Sequence, residues 1–286
     1  MTRMSQQGSA QEMSLEKSPA WTSRWLAVAM LAALCSGCVT RTQTSENLVD
    51  GKDLVTASDE SEGSKRARVR MELAAGYYGR GQMTTALDQV KLAILADPKL
   101  AEAYNMRGLI YSNLGDDKLA EESFTRALQL APRDADSMQN FGYFLCQRRR
   151  YPEATAMFDQ ALAVPRYRDS ARTWLTKGVC QAFAGQLAES EASLVRAYEI
   201  EPSNPSVAVN LAEVLFKRGD YERARFYIRR VNAVAALQGS QTLWLAARIE
   251  QHLGNNAGAQ EFGEQLRRRF PDSTEAGRYS RGQFDE

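Results

Sequence analysis

Glycine returns along this chain at Gly81, Gly115, Gly185, Gly219 and Gly254. The first interval and the third are 34 residues and the last is 35. The 70 residues between Gly115 and Gly185 make two periods with two residues to spare. Proline marks a similar beat at Pro98, Pro132, Pro202 and Pro271. A fixed period of this length is the mark of a repeat architecture, in which each unit is too small to bury its own apolar face and stacking supplies the core. Glycine suits the end of the first helix of a unit, because a left-handed residue costs least there without a Cβ. Proline suits the end of the second, because it cannot continue the hydrogen-bond ladder.

Setting each proline at position 32 starts repeats at Ala67, Ala101, Ala135, Ala171, Pro205 and about Ser240. The second repeat then reads Tyr104, Gly108, Tyr111, Gly115, Ala120, Phe124, Ala127, Pro132. Small residues let two helices, A and B, approach each other, and large ones fill the space between them. The first repeat follows with Leu73, Ala74, Tyr77, Ala86, Val90 and Ala93, the third with Gly142, Ala154, Phe158 and Ala161. The third departs from the pattern in its turn, where Arg149 replaces glycine, and two extra residues precede the fourth. The fourth carries Trp174, Gly178, Leu194 and Ala197, the fifth Leu211, Ala212, Ala224 and Ile228. The sixth, with Trp244, Ala247, Ala259 and Leu266, is degenerate, as a terminal cap should be. This small-and-large pattern at a period of 34 is that of the tetratricopeptide repeat. The expected fold is all-α, a right-handed superhelical solenoid of about six tetratricopeptide helix pairs over residues 66–273.

The N-terminal region predicts a compartment. Trp25 to Leu34 is an apolar run behind Arg24. It is far shorter than the roughly 20 residues that span a bilayer, and it has the form of a bacterial export signal. It ends in Leu34-Cys35-Ser36-Gly37-Cys38. That ending resembles a lipobox, with Cys38 as the lipidated residue and residues 1–37 removed. Cys35 stands where leucine is usual. Val39 follows Cys38; aspartate at that place would favour inner-membrane retention, so transfer to the periplasmic face of the outer membrane is expected. Residues 38–65 are polar, cannot bury enough apolar surface to order themselves, and are expected to form a disordered tether reaching on the order of 30 Å. Residues 274–286 are expected to form a polar tail.

Composition excludes several classes. With 36 basic and 35 acidic residues the formal charge is +1, so nothing draws nucleic acid to the chain. The sequence has no Gly-rich phosphate loop, no Gly-x-Ser-x-Gly elbow and no Ser/His/Asp set. Its one histidine, His252, sits beside a turn without partners for a zinc site. No enzyme activity, cofactor or metal is expected. Cys146 and Cys180 fall on the A helices of successive repeats. Their repeat positions differ by two, which suggests side chains turned apart, so two packing residues are expected rather than a disulfide. Arg148-Arg149-Arg150 lies in a turn and is a candidate contact for lipid phosphates or an acidic partner. Arg267-Arg268-Arg269 lies at a helix end, where positive charge is favourable.

Likeness to the tetratricopeptide class implies an inner groove built from positions two, five, nine and twelve of each helix A. On this chain the candidate partner-binding residues are Tyr78, Leu109, Tyr143, Leu175, Val179, Val209, Phe216 and Trp244. The stretch from Tyr143 to Phe216 is expected to form one continuous apolar surface, suited to an amphipathic helix or an extended hydrophobic segment. The Lys and Asn that clamp a C-terminal carboxylate in some relatives are missing from positions five and nine.

Three stretches carry a closer resemblance. They are the lipobox with Cys38-Val39-Thr40; Asn140-Phe141-Gly142-Tyr143-Phe144-Leu145 with Tyr151-Pro152-Glu153-Ala154; and Asn204-Pro205-Ser206-Val207-Ala208 running on to Leu266-Arg267-Arg268-Arg269-Phe270-Pro271. Together they resemble the PilF/PilW family, lipoproteins of type IV pilus biogenesis, from Cys38 to about Ser273. The resemblance implies a pilotin. Its partners would be the secretin, through which the pilus exits, the outer membrane through a lipid anchor, and the lipoprotein sorting machinery. Two alternatives stand beside it: an assembly lipoprotein of another envelope machine, and a scaffold for cell-wall hydrolases or proteases.

Overall fold

The computed structural model describes residues 61–284. The leader, Cys38 and most of the tether lie outside the described residues. Six helix pairs follow one another: α1 (Glu62–Gly79) with α2 (Met83–Ala96), α3 (Ala101–Leu114) with α4 (Asp117–Leu130), α5 (Ala135–Gln147) with α6 (Tyr151–Leu162), α7 (Ser170–Phe183) with α8 (Leu187–Ile200), α9 (Pro205–Lys217) with α10 (Tyr221–Asn232), and α11 (Ser240–His252) with α12 (Asn256–Arg269). A short helix, α13 (Thr274–Ser280), ends the series. Each pair packs on the next, and no strand occurs among the described residues.

The turns follow the sequence marks. The five periodic glycines have φ between 72° and 81°, the left-handed region. Arg149 takes the equivalent place with φ 60°, a conformation that costs a residue with a Cβ roughly 1–2 kcal/mol. Side chains of Asp116, Asp134, Asn204, Asp220 and Asn255 accept from first-turn amides of α4, α5, α9, α10 and α12 and so cap these helix starts.

The helix crossings explain the small residues. Position eight of successive repeats is Ala74, Gly108, Gly142, Gly178, Ala212 and Ala247, all buried. A Cβ on Gly108 would lie 2.8 Å from the Phe124 ring, one on Gly142 2.7 Å from Phe158, and one on Gly178 2.6 Å from Leu194. The large residue of helix B thus rests directly on the backbone of helix A. Ser190 stands where five other repeats have alanine. It is buried, and its hydroxyl donates to the Gly178 carbonyl at 2.7 Å, so the crossing keeps its polar group satisfied.

Three features depart from the sequence reading. First, α1 begins at Glu62, inside the stretch expected to be tether, with Ser61 accepting from the Ser64 amide as its cap. Second, residues 274–284 are built into the solenoid. Ala276 is buried, and α13 packs on α11 and α12 where a seventh helix A would lie. The large residue of helix B is replaced in the last repeat by Gly263, and the Tyr279 ring fills that space so closely that a methyl group on Gly263 would collide with it. A polar composition hid this because one aromatic and one alanine suffice when the solenoid end offers a ready-made apolar face.

Third, Cys146 of α5 and Cys180 of α7 form a disulfide, with Cα atoms 5.9 Å apart, well within bonding range. The expectation of two unbonded packing residues is overturned. Equivalent positions on neighbouring A helices point the same way and cannot meet. An offset of two residues turns a side chain by about 200°, so one cysteine faces forward along the stack and the other faces back.

Candidate functional site

Helices α1, α3 and α5 enclose a cleft of about 590 Å³ on the inner face, with Tyr78, Leu109 and Tyr143 among its lining residues. Three of the predicted groove residues therefore meet. Tyr143 is 47% exposed, a large aromatic surface left open to solvent. The Tyr78 hydroxyl accepts from Asn113 Nδ2 at 2.9 Å, and the same amide donates to the Leu109 carbonyl at 2.8 Å. These bonds fix the aromatic side of the cleft to its polar side.

Much of the lining is polar: Ser112, Asn113, Asn140, Gln147 and Arg148. Asn140 donates to Asn105 Oδ1 at 3.2 Å and accepts from Arg172 at 3.2 Å, so a ladder of side-chain hydrogen bonds crosses three repeats. Sequence reasoning missed this ladder. Its signal was present: polar residues at positions five, six and two of successive A helices. Gln139 Oε1, buried in α5, has no hydrogen-bond partner among the described residues. Aromatic area beside amide donors and acceptors suits an extended peptide, whose main-chain groups need partners as much as its side chains need cover.

The arginine run is spent between repeats. Arg148 Nε donates to Asp117 Oδ2 at 2.7 Å and its guanidinium lies 5.2 Å from the centre of the Phe144 ring. The hydrogen bond from Arg148 holds the Asp117 carboxyl below its ordinary pKa. Arg150 bonds Glu121 and Glu153, each at 2.7 Å. Only Arg149, in the turn itself, keeps the exposure expected of the whole run.

The later groove residues are placed differently. Leu175, Val209 and Phe216 are half-buried and pack against a core shared by the fourth, fifth and sixth repeats, and Val179 is half-buried too. The Phe216 ring lies 5.4 Å from Tyr221, 5.2 Å from His252 and 4.4 Å from the Arg248 guanidinium. His252 stacks on Tyr221 at 4.6 Å. Trp244, expected to line the groove, is only 5% exposed and is covered by Phe284, 5.3 Å away between ring centres. Among the described residues no cluster of potential metal ligands occurs, and no helix is long and apolar enough to cross a membrane.

Tetratricopeptide-repeat family models match residues 101–134, 135–164 and 183–241, the first two starting where the second and third repeats start. The type IV pilus assembly protein PilF of Pseudomonas aeruginosa is 27% identical over 255 residues, 89% of this chain and 96% of that protein. The crystal structure of PilW, a widely conserved type IV pilus biogenesis factor, superposes with a TM-score of 0.69 and 32% identity, over 74% of this chain and 96% of that one. The structure of Pseudomonas aeruginosa PilF gives the same TM-score at 25% identity and is covered completely. With this identity, this coverage and the shared succession of helix pairs, the chain belongs to the PilF/PilW family of type IV pilus assembly proteins, as a tetratricopeptide-repeat scaffold.

Proposed function

We propose that this protein is a pilotin: an outer-membrane lipoprotein, anchored through Cys38 on the periplasmic face, that binds the type IV pilus secretin and promotes its outer-membrane localisation and multimerisation. The observation that carries the reading is the cleft around Tyr78, Leu109 and Tyr143 in a chain of this family. The aromatic wall gives a hydrophobic segment of an unassembled subunit somewhere dry to rest, and the amide rim serves its backbone. The lipid anchor would supply membrane affinity and residues 39–60 the reach. The Cys146–Cys180 bond supports an exported chain, since such bonds persist in oxidising compartments and are rare in the cytosol.

Tyr143→Asp is the direct test. Its ring is the most open of the groove residues, so the fold should survive, with helix content and melting midpoint near those of the parent chain. A charge placed where the partner must be dry should weaken binding by about a few kcal/mol, a hundredfold or more. Secretin multimers in outer-membrane fractions should fall accordingly. A folded Tyr143→Asp chain that still supports normal multimerisation would place the binding face elsewhere.

The anchor has a separate readout. Cys38→Ser should abolish palmitate labelling and leave the protein off the outer membrane, because stable anchoring takes more than one acyl chain. Label persisting in the Cys38→Ser chain would remove the lipoprotein reading while leaving the cleft untouched.

A further inference from the structure

The last repeat holds a segment of its own chain on the inner-face positions. After α13 the backbone turns through Gly282, at φ 68°, and returns over α11. The main-chain carbonyl of Phe284 accepts from Arg248 Nε at 2.7 Å, and its ring packs 5.3 Å from Trp244. Tyr279 meets the same ring edge-on at 6.0 Å. Trp244 and Arg248 are positions five and nine of their helix A, equivalent to the positions that supply Leu109 to the open cleft. Arg248 also lies over Phe216 of the preceding repeat at 4.4 Å and within 5.9 Å of Trp244. Phe216, Arg248 and Trp244 therefore make an aromatic–cation–aromatic row along the inner face, of a kind that recognises rings and carbonyl groups.

Two further observations bear on this row. Trp244 Nε1 is buried with no hydrogen-bond partner among the described residues, so the present occupant leaves a donor unsatisfied, at a cost that a better-fitting segment would recover. Two groups of contacts hold the chain end against the last repeat. Helix α13 is fixed by buried Ala276, by Tyr279 over Gly263 and by the Ser273 cap. Beyond it, Phe284 meets α11 through its ring on Trp244 and its carbonyl on Arg248.

We propose that residues 281–284 are an intramolecular stand-in for a partner, and that Phe216, Arg248 and Trp244 form a subsite for an aromatic residue in an extended partner segment. The partner's ring takes the place of Phe284 on Trp244, and its main-chain carbonyl takes Arg248. A tethered segment competes at an effective concentration of order millimolar. Segments that offer an aromatic residue alone are held off, and those that add contacts elsewhere along the inner face displace it. No identity of the partner enters this inference, so it stands or falls apart from the secretin reading.

The probe is a synthetic peptide of residues 279–286, and the readout is the indole N–H resonance of Trp244, assigned by its loss in Trp244→Phe. Phe284→Ala in the full chain empties the subsite and leaves α13 in place. The peptide should shift the resonance in the Phe284→Ala chain with at least tenfold higher affinity than in the unsubstituted chain. A peptide with alanine in place of Phe284 should bind at least tenfold more weakly. A folded Phe284→Ala chain whose resonance does not move up to millimolar peptide, or moves alike with both peptides, overturns the proposal. So does a Phe284→Ala chain that loses helix content or melts markedly lower, because Phe284 would then be core and not displaceable.

Discussion

Reducing the Cys146–Cys180 bond is expected to lower the stability of the solenoid by about 4 kcal/mol. The bond closes a loop of 34 residues, and on the chain-entropy account a loop of that size removes about that much freedom from the unfolded chain. The loss should concentrate in the third and fourth repeats and spread from there, since each repeat is stabilised only by its neighbours. Denaturant unfolding with and without reductant measures it. The midpoint of the native chain should drop on reduction. The double variant Cys146→Ala, Cys180→Ala should start at the lower value and ignore the reductant. Alanine is preferred over serine because Cys180 is buried, and a hydroxyl there would need a partner. Equal midpoints for oxidised and reduced chains would show that the bond contributes nothing measurable.

Gly108→Leu should damage the fold at the crossing of α3 and α4. Even a methyl group there would meet the Phe124 ring at 2.8 Å. That ring has nowhere to go, with Phe141 and Phe144 centred 5.4 and 5.7 Å from it. Overpacking of this kind costs about 1–3 kcal/mol, and the crowding behind Phe124 puts this case at the upper end. A contrast makes the cause visible. Gly115 has open space around it but φ 81°, so Gly115→Ala should cost only about 1 kcal/mol, through backbone conformation alone. Melting temperatures of the two variants separate steric from conformational loss. An unchanged value for Gly108→Leu would mean that α3 and α4 do not cross at this residue.

What the sequence reveals about the fold is confined to contacts within a repeat. Gly108 and Phe124, or Gly142 and Phe158, belong to one helix pair, and the same geometric demand recurs each period, so spacing alone exposes it. Contacts between repeats obey no such count. Cys146 and Cys180 meet because they are not equivalent. The ladder from Asn105 through Asn140 to Arg172 uses three different positions of helix A. Of the residues picked out by repeat position, three share one cleft. Tyr78, Leu109 and Tyr143 converge, while Trp244, at the same kind of position, lies under a residue 40 further along the chain. A repeat pattern carries no information about a segment that does not repeat.

A stack of identical units contains no instruction to stop. Each helix pair presents, on its trailing side, the surface that receives the next helix A, and in the last repeat that surface would be open to the first helix of another molecule. Contacts of that head-to-tail kind do not close on themselves and run on into filaments. Tyr279, seated over Gly263, plugs the socket from within the chain. One aromatic residue and the glycine that makes room for it thus cover, from within the chain, the face on which a further helix pair would stack.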